Sequence, residues 1–361
     1  MNTEDYKRPT SKAQLFFLQN IQRILNEGSF SSTYKFALLH ALADLSVSYG
    51  DDSGAPLDLS VDAISEQFVR LYEKQTLHFP GANNQVLMQN SVRNKQAKVI
   101  SQIAETRETY LGIIPNLTTQ TQLIREIKAT IVREPLGKLQ TVGKEKLNFL
   151  YDDPVYRRDR ISLKPGVAYC FRQFYPFITN MVQGAWIDQV RKFNTDILGE
   201  TVDLRQFLFG TQRNSLERIK PILHEIQEGR CFYTGRNLNL SEAEVDHFIP
   251  WSRYPIDLGH NFVLTSGPTN RSKSNHIAAE KYLCKWTQFC LNNQSNLSEH
   301  FERIKVRYDL ESSLKIAQWC YNQVHQVQAQ VWMKRGQLET LSDLWKPILD
   351  QAIQSVQSTE N

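Results

Sequence analysis

The spacing of apolar residues changes along this chain, and the change limits the folds that it can adopt. Up to about residue 210, apolar residues recur every three to four positions, as in "VDAISEQFVRLYEK", which predicts helices. After Gly229 come short runs rich in β-branched and aromatic residues, namely "RCFYTG", "AEVDHFI" and "HNFVLTS". The helical spacing then returns and continues through "SLKIAQWCYNQVHQVQAQVW". The sequence therefore predicts a mainly α-helical protein with a small element of two or three strands.

Two helices near the N-terminus are predicted in more detail. The segment "SSTYKFALLHALADLSV" is apolar nearly all round, which indicates a buried central helix with Ser32 or Thr33 as its N-cap. Ser60 is the predicted N-cap of the next helix, which has one apolar face. These helices predict a helical body for the first half of the chain.

The change in spacing also predicts the domain organisation. Residues 1–212 are expected to form a helical domain for recognition or partner binding. Residues 213–290 are expected to form the unit that contains the strands, and residues 291–361 to add C-terminal helices that pack on the helical body.

Composition excludes several classes of protein. With 361 residues, of which 41% are apolar, the chain can bury a substantial core. Its longest apolar stretches fall short of the roughly 20 residues that span a bilayer, and "MNTEDYKRPTSK" lacks a signal-peptide pattern. The five cysteines form neither a C-x-x-C pair nor an even set for disulfides. We expect a cytoplasmic protein with reduced thiols and no membrane partner.

Positive charge is concentrated in two places, although the formal net charge is only +4. Between residues 251 and 290 the basic residues Arg253, Arg271, Lys273, Lys281 and Lys285 outnumber the acids Asp257 and Glu280. The second place is "YRRDRISLK", which contains Arg157, Arg158, Arg160 and Lys164. This second cluster predicts either a path for DNA phosphates or a solvated loop.

The pair Asp246–His247 stands where a strand gives way to a loop at Pro250. Asp246 and Asn270 offer hard oxygen ligands, which suit Mg²⁺ or Mn²⁺. His247, when neutral, can take a proton from an attacking water, and Arg271 and Lys273 can hold phosphates. A hairpin with a polar loop and a helix cap would explain any one of these residues alone.

The combination resembles a known family. The segment "EVDHFIPWSRYPIDLGHNFVLTSGPTNRSKSNH" is similar to the HNH endonuclease motif, a ββα-metal unit, and most like the form in RNA-guided CRISPR nucleases. The matching positions are Asp246, His247, Ile249, Pro250, Asn261, the "VLT" at 263–265, Asn270, Arg271, Lys273 and Ser274.

The resemblance implies a role for each matched residue. His247 is the expected general base, Asp246 and Asn270 are the expected metal ligands, and Asn261 braces the loop that aims the imidazole. Asn270 stands where many relatives carry a histidine, so this is an H-N-N form. His276 is a further candidate for a phosphate contact.

The implied activity is metal-dependent hydrolysis of DNA by an endonuclease. One such unit cuts one strand at a time, so nicking is expected, with double-strand cleavage if the protein forms a homodimer. Bacterial restriction or anti-phage defence, together with other subunits of such a system, is the expected setting. Two alternatives stay open: a non-catalytic HNH-shaped module for DNA binding or assembly, and a nuclease acting on structured RNA.

One departure from the family concerns zinc. Many HNH proteins hold a structural zinc with two C-x-x-C pairs, whereas this chain has Cys231 with Thr234 and Ser266 with Thr269 at those places. A single cysteine cannot hold the ion, so no structural zinc is expected. Packing around Cys231 is expected to replace it.

Overall fold

The structure is a computed structural model that describes residues 6–80, 85–92, 95–110, 121–152, 159–198, 203–210 and 213–359. The chain divides into two compact units, Met1–Gly210 and Thr211–Asn361, called here the N-terminal and C-terminal units. The fold is mainly α-helical with small two-stranded sheets, which confirms the predicted fold class.

The N-terminal unit is helical. Its helices are α1 (Ser11–Glu27), α2 (Tyr34–Tyr49), α3 (Val61–Glu73), α4 (Lys98–Thr109), α5 (Thr121–Arg133), α6 (Val167–Gln173), α7 (Tyr175–Phe193) and α8 (Leu204–Phe209). Its strands are β1 (Leu57–Ser60), β2 (Thr141–Val142), β3 (Glu145–Lys146) and β4 (Arg160–Leu163). Strand β1 pairs with β4 and β2 with β3, both antiparallel.

Helix α2 forms the centre of this unit, as its apolar sequence predicts. It packs against α3, α6 and α7 and is buried along nearly its whole length. Thr33 precedes it, but the hydroxyl of Thr33 bonds to Tyr72 and Gln89 and does not cap the helix. The predicted cap of α3 is confirmed, because the Ser60 hydroxyl accepts a hydrogen bond from the Ala63 amide at 3.0 Å.

A charged cluster lies inside the N-terminal unit. The Asp44 carboxylate is fully buried and is hydrogen-bonded by His40 Nδ1 (3.0 Å), by Arg70 and by the Tyr175 hydroxyl (2.6 Å). The other ring nitrogen of His40 accepts from Gln183 Nε2 at 3.2 Å. Buried charges of this kind are tolerated only when partners surround them, and here three helices supply those partners.

The C-terminal unit combines helices with two hairpin-like strand pairs. Its helices are α9 (Arg213–Ile226), α10 (Gly267–Lys273), α11 (Glu280–Asn292), α12 (Gln294–Arg303), α13 (Leu310–Gln326) and α14 (Trp345–Thr359). Its strands are β5 (Ala243–His247), β6 (Phe262–Ser266), β7 (Gln330–Lys334) and β8 (Gln337–Thr340). Strands β5 and β6 are antiparallel and lead directly into α10, which gives the predicted ββα order.

Two sequence expectations in this unit are corrected. The run "RCFYTG" is not a strand: it is a turn closed by hydrogen bonds between Cys231 and Arg236 and between Gly235 and Cys231. The sequence predicts a helix through "HQVQAQVW", but the observed helix ends at Gln326. The last three residues of that run, "QVW", begin strand β7. Gln328 has φ +51°, a conformation that a continuing helix does not accept.

The hairpin formed by β7 and β8 docks beside α10. Trp332 donates its amide to the Ile277 carbonyl (2.8 Å) and accepts from the Ala279 amide (2.9 Å). The indole ring contacts both Tyr233 (5.2 Å, edge to face) and Tyr282 (5.4 Å, stacked). Residues outside the ββα segment therefore complete its core.

The C-terminal helices belong to the same compact unit as the ββα element. Helix α14 packs against both α13 and α11. The segments 213–290 and 291–361, which the sequence separates, thus share one compact unit. Among the described residues, no helix combines the length and apolar character that a transmembrane span needs.

Candidate active site

The site is built where β5 ends. Asp246 pairs with Val263 and His247 with Phe262, the last two rungs of the β5–β6 ladder. Glu244 and Asp246 are two residues apart and so project from the same face of the strand. That face meets α10, which contacts β5. The polar residues of the motif are therefore brought together by one strand end and one short helix.

Asp246 is nearly buried and has two side-chain partners. Its carboxylate accepts a hydrogen bond from the Tyr233 hydroxyl at 2.7 Å and lies 3.0 Å from the ammonium of Lys273. Burial, reinforced by the negative charge of Asp246, raises the pKa of Tyr233 well above its ordinary value. Tyr233 therefore stays a hydrogen-bond donor to the carboxylate across the physiological range.

The position of Lys273 differs from that expected of a phosphate-binding residue. Its side chain is fully buried, and the ammonium also donates to the His247 carbonyl at 2.8 Å. Lys273 lies three residues after Asn270, so both project from the same side of α10 toward β5. The ammonium that was expected to hold a phosphate is instead enclosed against Asp246.

His247 is oriented by a residue that the motif does not include. Its Nε2 donates to the Asp257 carboxylate at 2.7 Å, and the ring packs edge to face on Phe262 at 4.9 Å. Among the described residues no side chain or backbone group hydrogen-bonds its other nitrogen, Nδ1. The imidazole thus has one nitrogen tied to protein and one left for a small molecule.

Asn261 makes the contacts that a brace of the loop requires. Its Oδ1 accepts from the Ile249 amide at 2.8 Å, and its Nδ2 donates to the Ile249 carbonyl at 3.0 Å. The Phe248 amide also donates to the Asn261 carbonyl at 2.7 Å. These bonds close the loop that follows His247 onto the start of β6.

Asn270 and Arg271 share one acidic partner. Asn270 Nδ2 donates to Glu244 at 2.9 Å, which leaves the amide oxygen as its acceptor end. Arg271 lies 3.5 Å from the same carboxylate and is mostly exposed. Glu244 thereby fixes which end of the Asn270 amide is available to a ligand.

The remaining predicted phosphate contacts lie in different places. His276 and Arg253 are exposed in the C-terminal unit, and His276 Nδ1 donates to the Lys273 carbonyl at 3.2 Å. Arg160 is exposed on β4 in the N-terminal unit, 3.7 Å from Asp159. Arg157 and Arg158 lie outside the described residues.

The oxygen donors of Asp246 and Asn270 are of the type that a hard divalent cation prefers. Asp246 supplies a carboxylate and Asn270 an amide oxygen, and Mg²⁺ in proteins is often held by one or two such oxygens with waters completing the shell. The described residues contain no cluster of three or more His, Cys, Asp or Glu side chains suited to a metal.

One cysteine and three hydroxyl residues stand at the four positions where many HNH proteins carry zinc-binding cysteines. Cys231 Sγ lies 3.3 Å from the Thr265 hydroxyl, and the Ser266 and Thr269 hydroxyls are 2.9 Å apart. Phe232 next to Cys231 packs edge to face on Phe289 at 6.2 Å. Side-chain packing and hydroxyl contacts hold this corner together.

Sequence reasoning missed three residues of the site. Tyr233 and Glu244 contact the candidate ligands, and Asp257 contacts the candidate base. In the sequence, Asp257 is only an acidic residue within a basic segment. Its contact with His247 could not be predicted, because loop residues have no periodicity that indicates their partners. The alternation of β5 could have paired Glu244 with Asp246, since both lie on one face.

Two family models match this chain. A family described as "Domain of unknown function (DUF8808)" matches residues 16–208, more than half of the 361 residues. A second family, described as "HNH endonuclease", matches residues 231–279, which contain β5, β6 and α10. The two matches fall in the N-terminal and C-terminal units respectively.

Two curated relatives are CRISPR-associated endonucleases. The chain is 29% identical to the Cas9 of Streptococcus mutans over 105 residues, which are 28% of this chain and 7% of that protein. It is 23% identical to the Cas9 of Listeria innocua over 222 residues, 60% of this chain and 14% of that protein. The chain thus spans a small part of the relatives that it matches.

The N-terminal match extends over most of one compact unit, and the ββα element lies in the other. The chain belongs to the family described as a domain of unknown function (DUF8808), and its C-terminal unit carries an HNH endonuclease domain related to those of CRISPR nucleases.

Proposed function

We propose that this protein is a metal-dependent endonuclease that hydrolyses phosphodiester bonds in DNA. One observation carries the proposal. His247 stands at the end of β5, directly after the candidate ligand Asp246, with Nε2 tied to Asp257 and with Nδ1 bonded by none of the described residues. Hydrolysis of a phosphodiester by water uses a base with an available nitrogen, and hard oxygen donors suit the metal ion that assists such a reaction.

His247 is the general base of this proposal. Its Nδ1 takes a proton from the water that attacks phosphorus, while the Nε2–H remains hydrogen-bonded to the Asp257 carboxylate. Asn261 holds the loop after His247 through its two bonds to Ile249 and so keeps the ring at the strand end. The base is thereby fixed before substrate binds, which lowers the cost of reaching the reactive geometry.

Asp246 and Asn270 would hold Mg²⁺ or Mn²⁺. When bound there, the cation supplies charge neutralisation for the phosphate and for the leaving oxygen. Tyr233 orients the Asp246 carboxylate by its 2.7 Å hydrogen bond, and Glu244 orients the Asn270 amide. Lys273 provides positive charge at Asp246 in the metal-free protein.

Three exposed side chains of the C-terminal unit are proposed to bind phosphates. Arg271, Arg253 and His276 are exposed in the C-terminal unit. Phosphate contacts set both the affinity for DNA and its dependence on salt. Because a single HNH domain engages one strand, we propose nicking as the elementary event, and double-strand cleavage where two copies act together.

The proposed setting is bacterial restriction or anti-phage defence in the cytoplasm, together with other subunits of such a system. The relatives named CRISPR-associated endonucleases support this setting. A non-catalytic module of the same shape is less consistent with the site, because the candidate base and both candidate ligands are present.

Strand-resolved cleavage tests the proposal. Purified protein is incubated with supercoiled plasmid in Mg²⁺, in Mn²⁺ and in EDTA, with a structured RNA in parallel. Nicked plasmid that appears only with metal supports it. Cleavage of the RNA alone would assign the substrate differently, and binding of plasmid without any cleavage would identify the non-catalytic module.

A further inference from the structure

The contact between His247 and Asp257 constrains the chemistry of the imidazole. The two groups are 2.7 Å apart, and the side chains are 11% and 33% exposed. An ionised carboxylate has no proton to donate, so Nε2 must carry the proton of this hydrogen bond. A neutral imidazole has a single N–H, which leaves the lone pair on Nδ1.

The loop that carries Asp257 is fixed on both sides. Before it, Tyr254 and Ile256 are buried, and the Ile256 amide donates to the Tyr254 carbonyl at 2.8 Å. After it, Gly259 donates to the Arg307 carbonyl at 2.8 Å and lies so close to Phe301 that a Cβ would meet the ring at 2.4 Å. The backbone that carries Asp257 is therefore restrained on both sides.

We infer that Asp257 is a positioning residue for the proposed hydrolysis and that it selects the tautomer of His247 that can act as a base. This inference rests on the proposed function. In the step, the water oxygen bonds to phosphorus, the water proton passes to Nδ1, and the bond to the leaving oxygen breaks. The Nε2–H of the imidazolium so formed still donates its hydrogen bond to the Asp257 carboxylate, and the negative charge of Asp257 stabilises the imidazolium. Asp257 itself takes no proton.

The tautomer is measured first, on metal-free protein and without substrate. Long-range ¹H–¹⁵N correlation spectra of ¹⁵N-histidine protein distinguish the protonated from the bare ring nitrogen, and His247→Ala identifies the signals of this ring among the eight histidines. The Nε2–H form is expected in the wild type, with a mixture in Asp257→Ala. An Nδ1–H ring in the wild type, or an unchanged tautomer in Asp257→Ala, overturns the inference.

Steady-state cleavage supplies the second measurement. Asp257→Ala is expected to lower kcat by about 10²-fold or more with KM little changed, because the base is misoriented while phosphate contacts stay intact. Asp257→Glu, which keeps a carboxylate, is expected to recover part of that loss. Equal kcat in Asp257→Ala and wild type contradicts the inference.

A matched control exists in the same unit. His325 is half-buried and its Nε2 lies 3.0 Å from the exposed Asp343, and neither residue has a proposed part in the chemistry. Asp343→Ala should change neither kcat nor the His247 tautomer. If wild-type protein cleaves no nucleic acid, the proposed function fails, while the spectra still decide whether Asp257 sets the tautomer.

Discussion

Two buried aspartates, one in each unit, have nearly the same kinds of neighbours. Asp44 in the N-terminal unit is bonded by His40, Arg70 and Tyr175. Asp246 in the C-terminal unit is bonded by Lys273 and Tyr233 and is followed by a histidine in the sequence. The residue types alone therefore do not distinguish a structural cluster from a candidate active site.

The histidines make the difference. His40 is 1% exposed, and its two ring nitrogens are bonded to Asp44 and Gln183. His247 turns away from its neighbouring aspartate, bonds Asp257 with one nitrogen, and is 9% exposed. A histidine can exchange protons with substrate only if one nitrogen is reachable. The accessibility of one ring nitrogen, more than the types of the neighbouring residues, distinguishes the candidate site from the structural cluster.

The largest expected effect concerns the two histidines directly. His247→Ala should lower the cleavage rate by about 10²- to 10⁴-fold or more while folding and DNA binding remain, because the general base is lost. His40→Gln should leave the cleavage rate of the folded protein unchanged. Plasmid nicking with both variants checks this, and near-normal nicking by His247→Ala would remove the basis for the proposed function.

The cations beside the two aspartates offer a second test. Lys273→Met and Arg70→Met each remove a cation that contacts a buried carboxylate, so each should lose about 3 kcal/mol or more of stability. Millimolar Mg²⁺ should restore part of the stability of Lys273→Met, because the metal is proposed to bind Asp246. It should restore none in Arg70→Met. Thermal unfolding with and without Mg²⁺ gives the comparison, and equal responses would argue against a metal at Asp246.

As pH falls, the C-terminal unit should lose stability before the N-terminal unit does. His260 in the C-terminal unit is buried, neither ring nitrogen has a hydrogen-bond partner among the described residues, and burial lowers its pKa from 6.5 to about 4. The folded state therefore resists a proton that the unfolded state binds. Stability is complete above pH 6.5 and falls as pH drops toward 4, by about 3 kcal/mol in total.

Asp44 responds in a lower range. Burial alone would raise the pKa of its carboxyl, but His40 and Arg70 outweigh burial and place the pKa below its ordinary 3.8. Its contribution is thus present above the unfolded pKa and lost only as pH falls through the lower folded value. Hydrogen exchange between pH 7 and 4 should show α11 and α12 weakening before α2. His260→Leu should abolish that difference, and persistence of the difference would exclude His260 as its cause.

The smallest effect on cleavage is expected from the basic cluster of the N-terminal unit. Changing Arg157, Arg158 and Arg160 to glutamate should weaken duplex binding and reduce the slope of log K against log salt by up to about 0.9 per lost phosphate contact. Nicking should be slower but still depend on His247. Binding of a labelled duplex at several salt concentrations measures this. An unchanged slope would leave the cluster as a solvated loop, a reading that the pairing of Arg160 with Asp159 also permits.

The sequence was sufficient to predict those features that depend on a local pattern of residues. The short runs "AEVDHFI" and "HNFVLTS", rich in β-branched and aromatic residues, predicted β5 and β6, and the order of His247, Asn261 and Asn270 predicted the HNH match. Helix α2 was predictable because its apolar residues cover all sides. These features depend on neighbouring residues in the chain.

What the sequence did not predict depends on contacts between distant residues. The burial of Lys273 follows from which face of α10 meets β5. The bond from His247 to Asp257 depends on a loop shape that the packing of Gly259 against Phe301 enforces. Strand β7 was hidden because its apolar residues also continue the helical spacing of α13.

The docking of Trp332 between Tyr233 and Tyr282 has a consequence for the order of events during synthesis. The ribosome finishes every residue of the HNH motif well before it reaches the hairpin of β7 and β8. Until that hairpin emerges, Tyr233, which holds Asp246, lacks one of its aromatic neighbours. We therefore expect a nascent chain that ends before Trp332 to be unable to cut nucleic acid, so that competence for cleavage is acquired late in translation.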